Sequence, residues 1–183
     1  MQNEHATRRL FRLLPILAAA AMSCGCASSY RLGTTLAPEL RAVYVPTVLN
    51  ESSEPGVARA VDQALRKEIR REGTLRMVPE SEAETRLDVV VTGYKQSAVS
   101  YSQHDTQHPN EYKMEISARV SFVRVARPQA GRPADVAVWQ RGSVTGSENF
   151  IGGADSVAAK TACLPEASKD LAVAIVDGCV GAW

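Results

Sequence analysis

Two cysteines at the end of an apolar N-terminal segment have the neighbours that covalent lipid attachment requires. A small residue stands directly before each of them, Ser23 before Cys24 and Gly25 before Cys26. In this pattern, which resembles a lipobox, the thiol receives a diacylglyceryl group and the preceding peptide is removed. Cys24 is favoured because Ala21 stands at the third position back, where Cys26 has a serine. Cys26 stays as the alternative, as does an ordinary cleaved signal with incidental cysteines.

The segment before these cysteines is typical of a secretion signal. Three arginines accompany an apolar run of 13 residues, Leu10–Met22. A helix of that length is roughly 20 Å long, which is short of the ~30 Å hydrocarbon core of a bilayer. We therefore expect a chain that is anchored to a membrane without spanning it. The expected organisation is a signal peptide at 1–23, a lipidated tether at 24–40 and a single folded domain at 41–183.

Two histidines have the spacing with which a helix can bind zinc, His104 and His108. Pro109 follows at once, and 103–110 is predicted to be a turn, where this spacing does not bring both rings to one side. A solvated loop is the favoured interpretation, and a loop-borne hydrolase site is the minor alternative. The sequence shows no Ser-His-Asp arrangement, phosphate-binding loop or dinucleotide-binding glycine pattern. It therefore predicts no catalytic residue, no metal site and no cofactor.

Two further cysteines, Cys163 and Cys179, lie in the predicted domain, and an exported protein can form disulfides. On one unbroken helix they would be about 24 Å apart, far beyond the ~7 Å limit between bridged Cα atoms. They can pair only if the helix ends early or if Leu164-Pro165 turns Cys163 back. A disulfide between them stays open, as does pairing of either one with the N-terminal cysteine that is not acylated.

Basic residues on predicted strands are the candidates for contact with an anionic lipid, because Arg and Lys form charge-assisted hydrogen bonds with phosphate. Strand alternation places some of them on a sheet face open to solvent. The candidates are Lys95, Lys113, Arg119, Arg124 and Arg141. The predicted first helix also has a charged side, between Arg59 and Arg71, which suggests an anionic ligand. In both places a solvated surface is the simpler interpretation.

The overall charge excludes a general affinity for nucleic acid. The chain has 21 basic and 20 acidic residues, and without the signal peptide 18 basic residues face 19 acidic ones. Such a domain has no basic field with which to neutralise phosphates. Its hydrophobic content of 45% is typical of a globular protein, and its aromatic content of 5% predicts a mostly aliphatic core.

The elements that must position these residues follow from the apolar periodicity. Arg41–Asn50 is predicted to be a strand at an edge, or one that ends at Pro46, because proline cannot donate to a ladder. An apolar stripe predicts a helix that runs to Glu72 and ends at Gly73. Three longer strands follow at 87–102, 111–127 and 136–150, with turns at 103–110 and 128–133. A closing helix is predicted within 156–182, its main part starting at Leu164-Pro165.

This β-α-β-β-β-α order, with a short extended piece at 75–79, predicts an α+β fold. Each helix has one apolar side to bury against a sheet face. The expected architecture is a two-layer sandwich, with two helices packed on one face of a mostly antiparallel four-stranded sheet.

Several segments, taken in order, resemble the LPS-assembly lipoproteins of the LptE family. Each motif is short, but their order and spacing together are characteristic and extend over most of 24–183. The matching segments are Tyr30–Gly33, Val45–Asn50, Glu54–Gly56, Arg70–Val78, Ala83–Tyr94 and Ala172–Trp183. The doubled cysteine departs from the family pattern.

The resemblance implies a non-enzymatic outer-membrane lipoprotein that faces the periplasm. Members of the family sit inside the large β-barrel LptD and help to deliver lipopolysaccharide to the outer leaflet. The expected partners are therefore an LptD-like barrel, lipopolysaccharide and, through the lipid anchor, the membrane. The resemblance carries over no catalytic residue and no lipid contact. The alternative is a lipoprotein binding module of another cell-envelope system, because small α+β folds have many functions.

Overall fold

The computed structural model describes residues 36–102, 105–125, 136–151 and 156–181. The predicted signal peptide and both candidate acylation cysteines lie outside the described residues. The elements are β1 (Ala42–Tyr44), β2 (Leu49–Asn50), α1 (Val57–Glu72), β3 (Arg76–Met77), β4 (Thr85–Ser102), β5 (Asp105–Arg124), β6 (Val136–Ile151) and α2 (Ser156–Gly181). Neither α1 nor α2 combines the length and the apolar character that crossing a bilayer demands.

The six strands form one mixed sheet. The strand order is β3-β1-β4-β5-β6, and β2 pairs with β4 beyond the end of β1. The short strands β1, β2 and β3 pair in parallel, whereas β4, β5 and β6 form a long antiparallel meander. The predicted α+β class with two helices is confirmed. The prediction of four mostly antiparallel strands in the order β-α-β-β-β-α is wrong in strand number, direction and order.

The difference arises at the N-terminal part of the sheet. The predicted strand 41–50 is divided around Pro46 into β1 and β2, both of which pair with β4. The short piece after α1 becomes β3 and pairs with β1. Because α1 carries the chain from one end of the sheet back to the other, β3 runs parallel to β1. The predicted turn at 103–110 is also shorter, since β5 already begins at Asp105.

The core lies between one face of the sheet and the two helices. Alternate residues of β4 and β5 are buried there: Thr85, Leu87, Val89 and Val91, then Met114, Ile116, Ala118, Val120 and Phe122. The period of two is that of strands with one covered face. The other face of the meander is uncovered among the described residues, and we call it the open sheet face.

Helix α1 forms where its sequence pattern predicts it. Val57, Val61, Leu65 and Ile69 recur every four residues and are fully buried. Gly73 follows the last turn with a φ of 82°, and its N–H donates to the carbonyl of Ile69 at 3.1 Å. This left-handed conformation suits glycine and ends the helix.

Helix α2 is longer than predicted. It begins at Ser156, so Pro165 lies inside the helix and not at its first turn. A proline inside a helix removes one backbone donor. Burial on one side offsets that loss: Cys163, Ala167, Leu171, Ile175 and Cys179 follow at intervals of four and are buried.

Between the helices lies one buried carboxylate, that of Glu68. Its side chain is 7% exposed, and it accepts hydrogen bonds from the Arg71 guanidinium at 2.6 and 2.8 Å. The bonds from Arg71 hold the pKa of Glu68 below its ordinary value.

Because the folded-state pKa is lowered, this carboxylate stabilises the fold above its unfolded-state pKa, and the contribution disappears as the pH falls through the folded-state pKa. We expect Glu68→Gln to lower the free energy of unfolding at pH 7 by about 1–2 kcal/mol. We expect it also to weaken the loss of stability below about pH 4.5. Urea unfolding of both proteins across pH 3–7, in steps of about one unit, measures this. Parallel pH profiles would contradict the assignment.

Candidate functional surface

Three predicted lipid contacts lie on the open sheet face, and each is close to an acidic group. Lys113 Nζ lies 3.1 Å from Glu115 Oε1, and Arg119 Nη2 lies 3.0 Å from Glu51 Oε1. Lys95 stands opposite Glu115 in the β4–β5 register. The cations of this face are therefore largely balanced by carboxylates.

The other two predicted contacts stand at strand positions on the core side of the sheet, not on the open sheet face. Arg124 pairs with Thr85, whose side chain is buried, and Arg141 pairs with Val120, which is buried as well. Arg124 Nη2 lies 3.7 Å from Glu39 Oε1. The structure thus does not bring the five basic residues together into one anion site.

Hydroxyl and amide groups fill the open sheet face between these charges. Ser117 Oγ and Thr145 Oγ1 lie 3.3 Å apart across β5 and β6, and Gln140 Nε2 donates to Ser121 Oγ at 2.9 Å. Asn149 Nδ2 donates to Glu111 Oε1 at 3.1 Å. These cross-strand pairs give a polar, nearly neutral surface.

Arg141 borders an open groove of about 640 Å³ between β6 and the last turns of α2. Trp139 and Arg141 line one wall, and Asp177 and Gly178 line the other. A Cβ on Gly178 would lie 2.3 Å from the indole of Trp139, so only glycine lets this ring pack on the helix. The groove offers an aromatic wall with one cation and one anion.

Apolar side chains are exposed at one end of the meander, where β4 and β6 end. Val99 and Tyr101 are about half exposed, and Ile151 is 79% exposed. Beside them the rings of Tyr112 and Phe150 stack at a centroid distance of 5.5 Å. This end can contact an apolar partner surface.

A polar clamp ties the beginning of α2 to β4. Lys160 Nζ lies 2.9 Å from Glu54 Oε1 and 5.4 Å from the ring centroid of Tyr94. The hydrogen bond with Glu54 raises the pKa of Lys160, and burial raises that of the Tyr94 hydroxyl. Both shifts keep the ordinary protonation states at neutral pH, so the clamp is structural.

The two cysteines of the domain have free thiols, both buried on α2. They lie on one continuous helix, which keeps them apart, and no disulfide joins them. Burial raises the pKa of Cys179 to about 12 and shifts that of Cys163 in the same direction. With this pKa Cys179 forms almost no thiolate at pH 8, and both side chains are buried.

We therefore expect iodoacetamide at about pH 8 to leave Cys179 unmodified in the native protein, because the reactive species is the thiolate. After unfolding in urea both cysteines should react. Mass spectrometry of tryptic peptides, with and without urea, measures both sites in one experiment. Rapid labelling of Cys179 in the native protein would contradict the buried placement.

The predicted histidine pair lies partly outside the described residues. His104 lies outside them, and His108 falls within β5. In the described part of the chain, no three His, Cys, Asp or Glu side chains are grouped to hold a metal ion.

Sequence reasoning missed the carboxylates that face the predicted cations, because Glu51 and Glu39 are distant from them along the chain. It missed the groove for the same reason, since β6 and the end of α2 meet only in the folded protein. An isoleucine directly before Gly152-Gly153 was a sequence signal for an apolar residue next to a turn. The exposure of Ile151 itself depends on the sheet geometry.

Comparison with known proteins adds a family and a set of similar folds. A family model described as LptE, lipopolysaccharide-assembly, matches residues 40–177. No curated protein sequence matches the chain.

Three solved structures illustrate the similarity. A lipoprotein from Caulobacter crescentus CB15 has 14% identity over 79% of this chain and 92% of that chain, with a TM-score of 0.46. Rare lipoprotein B from Shewanella oneidensis has 12% identity over 74% and 94%, with a TM-score of 0.44. A minor lipoprotein from Acinetobacter baumannii has 8% identity over 78% and 94%, with a TM-score of 0.49.

Proposed function

Because the chain belongs to the LptE family of non-enzymatic lipopolysaccharide-assembly lipoproteins of the cell envelope, we propose that it assists the assembly of an LptD-type β-barrel and plugs it. The domain is held at the periplasmic side of the outer membrane by an acyl group on Cys24. In the barrel it supports delivery of lipopolysaccharide to the outer leaflet. The family match over residues 40–177 is the observation that carries this proposal.

The open sheet face supports a role inside a barrel. Barrel interiors are polar, and this face presents paired charges and hydroxyl groups instead of apolar side chains. A sheet five strands wide spans roughly 20 Å at a spacing of about 4.8 Å. A helix layer adds about 10 Å, so only a barrel of the largest class has room for the domain.

The proposal also gives the exposed apolar end a partner. Exposed apolar side chains that lie close together are typical of protein contact sites. Val99, Tyr101 and Ile151 stand at the end of the sheet that is opposite to Leu40, where the chain enters the fold. Within a barrel this end would be the one that lies furthest from Leu40.

The test is purification of the full-length lipoprotein from detergent-solubilised outer membranes, with mass spectrometry of co-purifying proteins. A large β-barrel in a one-to-one ratio is the expected result. A folded, membrane-bound lipoprotein without any barrel would refute the plug and leave a binding module of another envelope system.

Site-specific photo-crosslinking locates the contact. A benzophenone amino acid at Lys95 or Ser121, on the open sheet face, should crosslink to the barrel. The same probe at Gln63, exposed on α1, is the matched control and should crosslink more weakly. Equal crosslinking from both sides would contradict the assignment of the sheet face.

A further inference from the structure

The outward side of α1 carries a line of exposed residues, Arg59, Gln63, Lys67 and Arg70, which we call the basic stripe. Their intervals of four, four and three residues place them on one side of the helix over about 16 Å. The stripe points away from the apolar side of α1, which is buried in one core with residues of the sheet and α2. It is therefore a solvent-facing surface of the described domain.

The cations of the stripe are not paired with carboxylates in the described part of the domain. Two other arginines of α1 are paired: Arg66 with Asp62 at 2.9 Å and Arg71 with Glu68 at 2.6 Å. Among the described residues, the three cations of the stripe have no acidic group within 4 Å. The stripe differs in this respect from the open sheet face, where carboxylates balance the cations.

The Arg70 end of the stripe lies on the side of the domain where the chain enters the fold. Arg76, just after α1, donates its backbone N–H to the carbonyl of Arg41 at 2.7 Å. The Arg41 guanidinium in turn donates to the carbonyl of Leu36. Twelve residues separate Cys24 from Leu36, and such a segment spans at most about 40 Å. The lipid anchor thus keeps a bilayer surface within reach of the stripe, at a high effective concentration.

Acidic groups elsewhere disfavour other orientations of the domain on an anionic surface. Glu80, Glu82 and Glu84 are exposed just before β4 begins. Helix α2 carries two lysines against three acidic residues, whereas α1 carries five basic residues against three acidic ones. The side formed by α1 is therefore the side that negatively charged headgroups attract.

We propose that, before the domain enters a barrel, the basic stripe lies against the anionic phospholipid headgroups of the membrane to which the chain is anchored, and that this contact orients the domain. The inference rests on the lipid anchor of the proposed function but not on the barrel. Acyl chains already provide firm attachment, so the stripe sets orientation and not binding strength. With α1 against the headgroups, the open sheet face points away from the bilayer and is accessible to a partner.

The experiment uses the native lipoprotein in vesicles and measures acetylation of Lys67 by an N-hydroxysuccinimide ester. Lys95, exposed on the open sheet face, is the internal reference. In vesicles that contain phosphatidylglycerol, the Lys67 rate relative to Lys95 should fall by about threefold or more compared with pure phosphatidylcholine vesicles. At about 0.5 M NaCl the difference should disappear, because salt screens exposed charges.

Matched variants separate charge from other effects. Arg59→Gln with Arg70→Gln should abolish the protection of Lys67, whereas Arg59→Lys with Arg70→Lys should preserve it. Equal rates of Lys67 acetylation in the two kinds of vesicle would overturn the proposal. So would protection by lipopolysaccharide but not by phosphatidylglycerol, which would assign the stripe to that ligand instead.

The barrel purification distinguishes this inference from the proposed function. Protection of Lys67 without a co-purifying barrel would refute the plug and keep the stripe. A co-purifying barrel without protection of Lys67 would refute the stripe and keep the plug.

Discussion

Gly146→Ala is expected to lower the free energy of unfolding by about 3 kcal/mol, the upper part of the range for overpacked cores. A Cβ at this position would lie 2.2 Å from the backbone N of Leu171 and 2.6 Å from the carbonyl O of Ala167. Both atoms belong to the backbone of α2, so no side-chain rotation relieves the contact. The helix must move away from β6, which separates packed apolar groups along its buried side.

Urea unfolding monitored by circular dichroism measures this change. Gly142→Ala is the matched control, because it lies on the same strand and its Cβ would meet no atom within 4 Å. We expect the control to change stability by less than about 0.5 kcal/mol. Similar midpoints for the two variants would show that α2 does not approach β6 as closely as the structure has it.

Cys24→Ala is expected to release the protein from the membrane. Each buried methylene of an acyl chain contributes about 0.8 kcal/mol, so an acylated cysteine holds the domain almost irreversibly and an alanine does not. The membrane-bound fraction after a wash with about 0.5 M NaCl should therefore fall from nearly all to very little. The salt removes the contribution of exposed charges such as those of α1.

Cys26→Ala is the control and should leave the bound fraction unchanged. Intact-mass analysis of the mature protein then identifies the modified residue directly. If Cys26→Ala releases the protein and Cys24→Ala does not, the acylated residue is Cys26.

The local part of the fold was predictable from the sequence. The apolar residues from Val57 to Ile69 predict helix α1, and the glycine after Glu72 predicts its end. Both signals act within a few residues of the chain. The strict alternation from Met114 to Phe122 likewise predicts a strand with one buried side.

The sheet order was not predictable in the same way. Residues 76–77 are only two residues of strand, and their partners lie more than thirty positions earlier, at Ala42 and Val43. Nothing in such a short segment specifies a parallel partner. The beginning of α2 was mispredicted because proline is a local signal for the start of a helix. The helix extends before Pro165 because Cys163 is buried in the folded protein, and this tertiary contact is not visible in the local sequence.

The candidate surface shows the same limit. Alternation indicates which basic residues share a sheet face, and Lys95, Lys113 and Arg119 do share one. It does not show that Glu51 reaches Arg119 from a loop 68 positions away. Charge balance across a surface depends on these distant contacts, so the sequence alone could not show which of these cations already face a carboxylate.

The position of β1 determines how the domain resists mechanical force. The chain reaches β1 through a short 3-10 turn at Pro38–Leu40, and β1 is flanked by β3 on one side and β4 on the other. A pull from the N-terminus therefore acts along the strand and loads the hydrogen bonds on both of its edges together. They must rupture as a group instead of opening one after another. A domain tethered in this way transmits tension from its lipid to its core without first losing a terminal strand.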